Sequence, residues 1–215
     1  MINNKMNVPN TRVLNIGSLS VNNVTNDNIK EDLLTNIDNI WKRRMRILTD
    51  ENISVLTKKC YVTLQPIGTQ YYLYLTKYND TNTSFLISKK TMKNHKYPQV
   101  LLLHMGFSDY MYQKDTLFDI NLVKKSDNDY SIVITDILLN RGKRIDTDIL
   151  DRYNMIMNIY EEEYIENKIL QQFSLSCTPI YHHSEMESII STKIKDVDYK
   201  INGLYIHHKN QTFVH

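Results

Sequence analysis

The alternation of apolar and polar residues predicts strands through the middle of the chain and helices on either side of them. Apolar residues recur at helical spacing in residues 28–48 and again in residues 147–172. Alternating or short apolar runs predict strands in residues 60–64, 70–78, 83–89, 100–105, 116–124 and 130–139. Residues 184–192 are expected to form a short helix, and residues 204–208 a last strand.

Polar turn sequences separate the predicted strands. Residues 79–82 (NDTN) and 126–129 (SDND) are typical of hairpin turns. Consecutive strands joined by such turns pair antiparallel, so the sequence predicts an α+β domain of antiparallel β-sheets with flanking helices. We assign residues 28–215 to this single domain. Residues 1–27 are rich in Asn, Ser and Thr without a sustained period, and we interpret them as a flexible N-terminal arm.

Composition and charge narrow the class of protein. The chain has 215 residues, of which 41% are hydrophobic and none is alanine. An AT-rich genome imposes such a bias, which suggests a virus, a plasmid or an AT-rich parasite. The net charge of +2 is weak for a protein that grips duplex nucleic acid, whereas a short single-stranded ligand is compatible with it. Two cysteines, Cys60 and Cys177, indicate a reducing compartment. No apolar run approaches the ~20 residues of a membrane span. We expect the cytoplasm of a host cell, with the nucleus as the alternative.

Four short motifs follow one another along the chain, from the second predicted strand to the last. They are residues 65–70 (QPIGTQ), 117–122 (LFDINL), 130–138 (YSIVITDIL) and 201–206 (INGLYI). This ordered set resembles the Lys-x-Asp-Gly-x-Arg, Phe-Asp-Gly-Glu, Tyr-x-x-x-Asp-Ile-Leu and Asp-Gly-Leu-Ile-Phe motifs of mRNA guanylyltransferases and nucleic-acid ligases. The resemblance covers most of the chain after residue 59. It implies a nucleotidyltransferase-like domain of the capping-enzyme and ligase type.

The departures from that superfamily remove its chemistry. Gln65 stands where the nucleophilic lysine would be, and an amide is not a nucleophile at neutral pH. Gln70 stands in place of the arginine, and Asn121, or Ile120 if the register slips, in place of a metal-binding glutamate. Asp119 remains, but one carboxylate rarely holds Mg²⁺ for phosphoryl transfer. The sequence therefore predicts a degenerate, non-catalytic member with no metal site and no cofactor.

A branch of the same superfamily has lost the lysine in the same way. Residues 65–68 (QPIG), 140–142 (NRG), 177–179 (CTP) and 203–209 (GLYIHHK) are similar to Cys-Pro-Val-Gly, Trp-Arg-Gly, Cys-Thr-Pro and Gly-Leu-Leu-Phe-Tyr-His-Lys of snurportin-type proteins. Those proteins bind the trimethylguanosine cap of small nuclear RNAs. The resemblance implies non-catalytic binding of the methylated guanosine 5′ cap, in translation initiation or RNA transport. The family's cap-stacking tryptophan has no counterpart here. The one tryptophan of the sequence, Trp41, lies in the first predicted helix.

The expected site combines aromatic faces for a positively charged base with basic residues for phosphates. The predicted cap-binding residues are Gln65, Gly68, Gln70, Tyr72, Tyr74, Phe118, Asp119, Asp136, Gly203 and Lys209. The predicted phosphate or RNA contacts are Lys89, Lys90, Lys124, Arg141 and Lys143. Capped RNA is the expected partner, together with a protein partner on the predicted 29–48 helix and no membrane.

Two other functions are compatible with the sequence. The first is an active guanylyltransferase or RNA-ligase-like enzyme in which Lys58 or Lys59 is shifted into the lysine position. The second is a scaffold or interaction subunit of a viral transcription or capping complex. The pairs His182-His183 and His207-His208 are not expected to bind a metal, because adjacent strand residues point to opposite faces.

Overall fold

The computed structural model describes residues 11–38 and 60–208, except residues 18, 128 and 168. The strands are β1 (Thr11–Ile16), β2 (Leu19–Val24), β3 (Cys60–Pro66), β4 (Thr69–Tyr78), β5 (Thr81–Ser88), β6 (Val100–Leu103), β7 (Thr116–Ser126), β8 (Asp129–Asn140), β9 (Lys143–Arg144), β10 (Ser174–Cys177), β11 (Ile180–His182) and β12 (Ile201–His208). The helices are α1 (Asp27–Asp38), α2 (Asp109–Gln113), α3 (Ile149–Glu162) and α4 (Met186–Ser191), with 3₁₀ turns at His183–Glu185 and Lys193–Lys195.

Most strands belong to one large sheet. Its strand order is β1-β2-β6-β5-β4-β7-β8-β10, and the short β9 pairs with β8. Every neighbouring pair is antiparallel except β8 and β10, which run parallel. The β4–β5 hairpin turns at Asn79 and Asp80, whose φ angles of 47° and 59° match the positive values that tight two-residue hairpins need.

A second, smaller sheet has the order β11-β3-β12 and is antiparallel. Its central strand β3 leads through residues 67–68 directly into β4, the middle of the large sheet. The Pro-x-Gly turn is therefore the link between the two sheets. The Ile67 amide donates to the Lys200 carbonyl at 2.8 Å, which also ties this link to the start of β12.

The large sheet has a hydrophobic core on each face. On one face, Ile156 and Ile159 of α3 pack with Leu73 and Phe118. On the other face, the apolar side of α1 packs against Tyr74 and Phe85, with Ile29, Leu33 and Ile37 all buried. The small sheet packs Val62 and Leu64 against Ile189 of α4. Burial of these apolar side chains is the main source of stability.

The α+β class and the prevalence of antiparallel sheet that the sequence predicts are confirmed. Regular structure begins earlier than expected, because residues 11–24 of the predicted arm form the β1–β2 hairpin, which extends the sheet at β6. The helix predicted for residues 147–172 ends at Glu162. The helix predicted for residues 28–48 is described as far as Asp38, and Trp41 lies outside the described residues. Among the described residues, no helix is both long and apolar enough to cross a membrane.

Candidate functional site

The two sheets bring five partly buried side chains together. We call this place the inter-sheet cleft and define it by Gln65, Tyr72, Lys89, Asp119 and Tyr205. Tyr72 and Asp119 belong to the large sheet, and Lys89 directly follows its strand β5. Gln65 and Tyr205 belong to the small sheet. None of the five is fully buried.

A cation lies between an aromatic ring and a carboxylate on the large-sheet side of the cleft. Tyr72 and Asp119 are directly opposite each other on β4 and β7. The Lys89 Nζ atom is 4.8 Å from the centroid of the Tyr72 ring and 2.5 Å from Asp119 Oδ2. The side chains of Lys89 and Asp119 are 20% and 23% exposed. The β4–β7 pairing therefore creates a site for a cation, made of the Tyr72 ring face and the Asp119 carboxylate. We call this pair the cationic seat.

Gln65 and Tyr205 form the small-sheet side of the cleft. Gly203 pairs with Gln65 across β3 and β12, and Tyr205, two residues on, follows on the same face of its strand. The Tyr205 phenol interacts with the Gln65 side chain and feels the charge of Asp119. Burial chiefly raises the pKa of Tyr205, with Asp119 adding to the rise and Gln65 opposing it. Tyr205 thus connects the two halves of the cleft.

The cleft contains one amide and one amine. Gln65 supplies the amide, and the amine, Lys89, is ion-paired with Asp119. Among the described residues, no three His, Cys, Asp or Glu side chains cluster as a metal site would require. Lys58 and Lys59, the displaced-lysine candidates, lie outside the described residues, as does Lys209.

Two predicted cap-binding aromatics pack in the core instead of facing a ligand. Tyr74 is 1% exposed, and burial together with the charge of Asp115 raises the pKa of its phenol. Phe118 is completely buried and stacks near Phe107 at a centroid distance of 6.0 Å. The β4 alternation is as the sequence predicts, since Tyr71 packs in the opposite core from Tyr74. Tyr72 is only partly buried and packs at the edge of the core that contains Tyr74.

Asp136, a further predicted cap-binding residue, pairs with a helix instead of facing the cleft. Its Oδ1 atom accepts from Arg152 Nε of α3 and from the Ile137 amide, each at 2.9 Å. Both side chains are buried, at 4% and 2% exposure. Asp136 is the direct cross-strand partner of Asp119 and lies next to an irregularity in the β8 register, where it pairs with Arg152 of α3. Asp136 therefore anchors α3 to the large sheet.

The predicted phosphate contacts do not form one patch. Lys124 pairs with Asp127 in the β7–β8 hairpin at 2.8 Å, and Arg141 pairs with Glu163 while lying 4.0 Å over the Tyr110 ring. Lys143 is exposed on β9. Lys90 is exposed directly beside the cleft, and Gln70 is exposed with its carbonyl 3.2 Å from the Lys89 amide.

A groove that is separate from the cleft lies beside the Pro-x-Gly turn and is lined by Tyr71 of β4. It encloses about 500 Å³ between β1, residues 67–69 and the β7–β8 hairpin. Gly68 lines this groove, and close packing explains why a glycine is there: a Cβ atom would lie 2.5 Å from the Leu122 carbonyl oxygen. Gly68 therefore lets the link between the sheets pass close to β7.

The cysteines and histidines have structural environments. Burial raises the pKa of the Cys177 thiol to about 12, so it stays protonated and unreactive at neutral pH. Cys60 is fully buried. His207 hydrogen-bonds Thr63 at 2.9 Å between β12 and β3, and His183 Nδ1 lies 3.2 Å from the Cys60 carbonyl oxygen. His182 Nδ1 lies 2.7 Å from Ser184 Oγ, so the adjacent residues His182 and His183 make different contacts. No Cys–His catalytic pair is formed among the described residues.

Comparison with known proteins leaves the site to be judged on its geometry. Neither models of protein families nor curated protein sequences give a match to this chain. The structure brings the predicted cap-binding residues Tyr72 and Asp119 close to Lys89, a predicted phosphate contact, and it places Tyr205, which the sequence analysis did not select, beside Gln65. The signal was present, because strand periodicity puts Gly203 and Tyr205 on one face.

Proposed function

We propose that this chain binds the methylated guanosine 5′ cap of RNA in the inter-sheet cleft, without catalysis. The observation that carries the proposal is the cationic seat, in which the Lys89 ammonium lies between the Tyr72 ring and Asp119. A methylated guanine carries delocalised positive charge on a flat ring, so it suits an aromatic face together with a carboxylate acceptor. Lys89 is thus an internal substitute for the base.

The proposal includes a fold relationship. We infer that the two sheets correspond to the nucleotide-binding core of capping enzymes and ligases. In support, Gln65 is the next-to-last residue of β3, directly before the Pro-x-Gly turn, and it pairs with Gly203 of β12. The replacement of the lysine by Gln65 supports binding over covalent transfer, since the amide lacks a nucleophilic amine.

The displacement of Lys89 gives the proposal its first test. Methionine at position 89 removes the competing ammonium and leaves Asp119 without this partner. We expect Lys89→Met to bind the nucleoside 7-methylguanosine about tenfold more tightly than the original chain, a gain of about 1.4 kcal/mol. Isothermal titration with the nucleoside, which has no phosphates for a lysine to contact, measures this effect.

The matched variant removes the carboxylate. Asp119→Asn is expected to weaken 7-methylguanosine binding by about tenfold, because the amide carries no charge for the cationic base. Asp127→Asn is the control, since Asp127 also pairs with a lysine but lies in an exposed hairpin. Equal affinities of Asp119→Asn and Asp127→Asn, or no binding of any cap analogue by folded protein, would refute the proposal. A covalent adduct with labelled GTP and Mg²⁺ would instead indicate the enzyme.

A further inference from the structure

A lysine-rich loop begins at the inter-sheet cleft and extends away from it. We call residues 89–97 the lysine loop. It connects β5 to β6 and contains Lys89, Lys90, Lys93 and Lys96 with His95, but no aspartate or glutamate. Residues 90–96 are all exposed. Its first residue, Lys89, is one of the cleft residues, so the positively charged loop is continuous with the site proposed for the cap.

The loop has a defined shape in the absence of a ligand. The Ser88 hydroxyl donates to the Lys90 carbonyl at 2.9 Å, and the His95 amide donates to the Met92 carbonyl at 3.1 Å. Asn94 adopts a φ of 70°, a value that asparagine tolerates better than most residues. At the far end, the Tyr97 hydroxyl donates to Glu31 of α1 at 2.8 Å. A loop ordered in advance loses less conformational entropy when it binds.

The lysines of the loop differ in the partners of their ammonium groups. Lys89 is paired with Asp119. The Lys96 Nζ atom lies 4.8 Å from the Tyr97 ring centroid, and a hydrogen bond with Tyr97 is the chief cause that raises the pKa of Lys96. Lys90 and Lys93 form no ion pair within the described residues. They therefore present uncompensated charge on a pre-formed surface.

Two of the other predicted phosphate contacts are already engaged. Lys124 and Arg141 have carboxylate partners, Asp127 and Glu163. A phosphate would have to displace those carboxylates, whereas Lys90 and Lys93 have no carboxylate partner among the described residues. Lys90 and Lys93 also belong to the loop that begins at the cleft, which favours this route for the RNA.

We infer that the lysine loop binds the phosphate backbone of the single-stranded RNA that follows the cap, through Lys90 and Lys93. The inference rests on the proposed function, and it adds the direction in which the RNA leaves the cleft. Contacts between lysines and phosphates are independent of base sequence and release counterions. The loop therefore supplies affinity for RNA length, while the cleft selects the cap.

The test compares a short ligand with a long one. The variant Lys90→Gln/Lys93→Gln and the original chain are titrated with a cap dinucleotide and with a capped ten-nucleotide RNA. We expect the variant to bind the capped RNA roughly tenfold more weakly at low salt and the dinucleotide unchanged. The slope of log affinity against log salt should fall by about 1.4, or about 0.7 for each lost phosphate contact. Lys124→Gln/Lys143→Gln is the control of equal charge and should match the original chain.

Each other outcome bears on one proposal. An unchanged affinity of the loop variant for the capped RNA, or an equal loss in the control variant, overturns the inference. Weakened binding of the dinucleotide overturns it too, because the loop would then belong to the cap seat. An uncapped RNA of the same sequence separates the two proposals. If it binds as tightly as capped RNA and still depends on Lys90 and Lys93, the loop is supported while the cap proposal fails.

Discussion

Replacing Arg152 with methionine is expected to lower the free energy of unfolding by about 3–5 kcal/mol. Arg152 is 1% exposed, and its Nε atom donates to Asp136 at 2.9 Å, while another guanidinium nitrogen donates to the Thr147 carbonyl. Methionine nearly fills the space but leaves Asp136 as a buried charge without its guanidinium. Urea unfolding followed by circular dichroism measures the difference.

A double variant distinguishes loss of the charge pair from loss of packing. Asp136→Leu/Arg152→Met removes both charges, and a well-packed apolar pair often replaces a buried ion pair at little cost. We therefore expect it to recover most of the stability lost in Arg152→Met. The exposed pair Lys124–Asp127 is the control, because its side chains are 52% and 95% exposed and its removal should change stability little. A loss below about 1 kcal/mol in Arg152→Met would contradict a structural role for Asp136.

The parts of the fold that the sequence predicts are those with a local cause. Strand alternation in β4 correctly separates Tyr71 from Tyr72, because successive side chains on a strand point to opposite faces. The β4–β5 and β7–β8 hairpins follow from their polar turns. Tyr72 and Asp119 were both predicted site residues, and their strands pair in the register that makes them direct neighbours.

The parts that the sequence does not predict depend on long-range packing. The partner of Asp136 is Arg152, which looks like an ordinary charged position on an amphipathic helix until the helix docks on the sheet. The irregular β8 register next to Asp136 cannot be predicted from the periodicity of the sequence. Residues 11–24 form strands because β6 offers an edge to pair with, whereas their own composition resembles a loop.

A methyl group added at Gly68, in the link between the two sheets, is expected to have the second large effect on stability. Gly68→Ala is expected to lower the free energy of unfolding by about 1–3 kcal/mol, the usual cost of overpacking. The added Cβ would lie 2.5 Å from the Leu122 carbonyl oxygen and 3.1 Å from Val123 Cγ2, and backbone of a paired strand cannot move aside as a side chain can. For a chain of this size each kcal/mol corresponds to about 2–4 °C in Tm, which differential scanning calorimetry resolves.

Gly203→Ala is the matched control, since Gly203 belongs to the other strand of the resemblance and pairs with Gln65. There the added Cβ meets the Gln65 Oε1 atom at 3.1 Å, the end of a side chain that can rotate. Stability should change by less than about 1 kcal/mol, because alanine in a strand also loses less entropy than glycine on folding. Cap affinity should nevertheless fall, because Gln65 is pushed into the cleft. Equal destabilisation by the two alanines would mean that the close approach of Gly68 to β7 does not set the cost of the added methyl group. Unchanged cap binding in Gly203→Ala would remove Gln65 from the site.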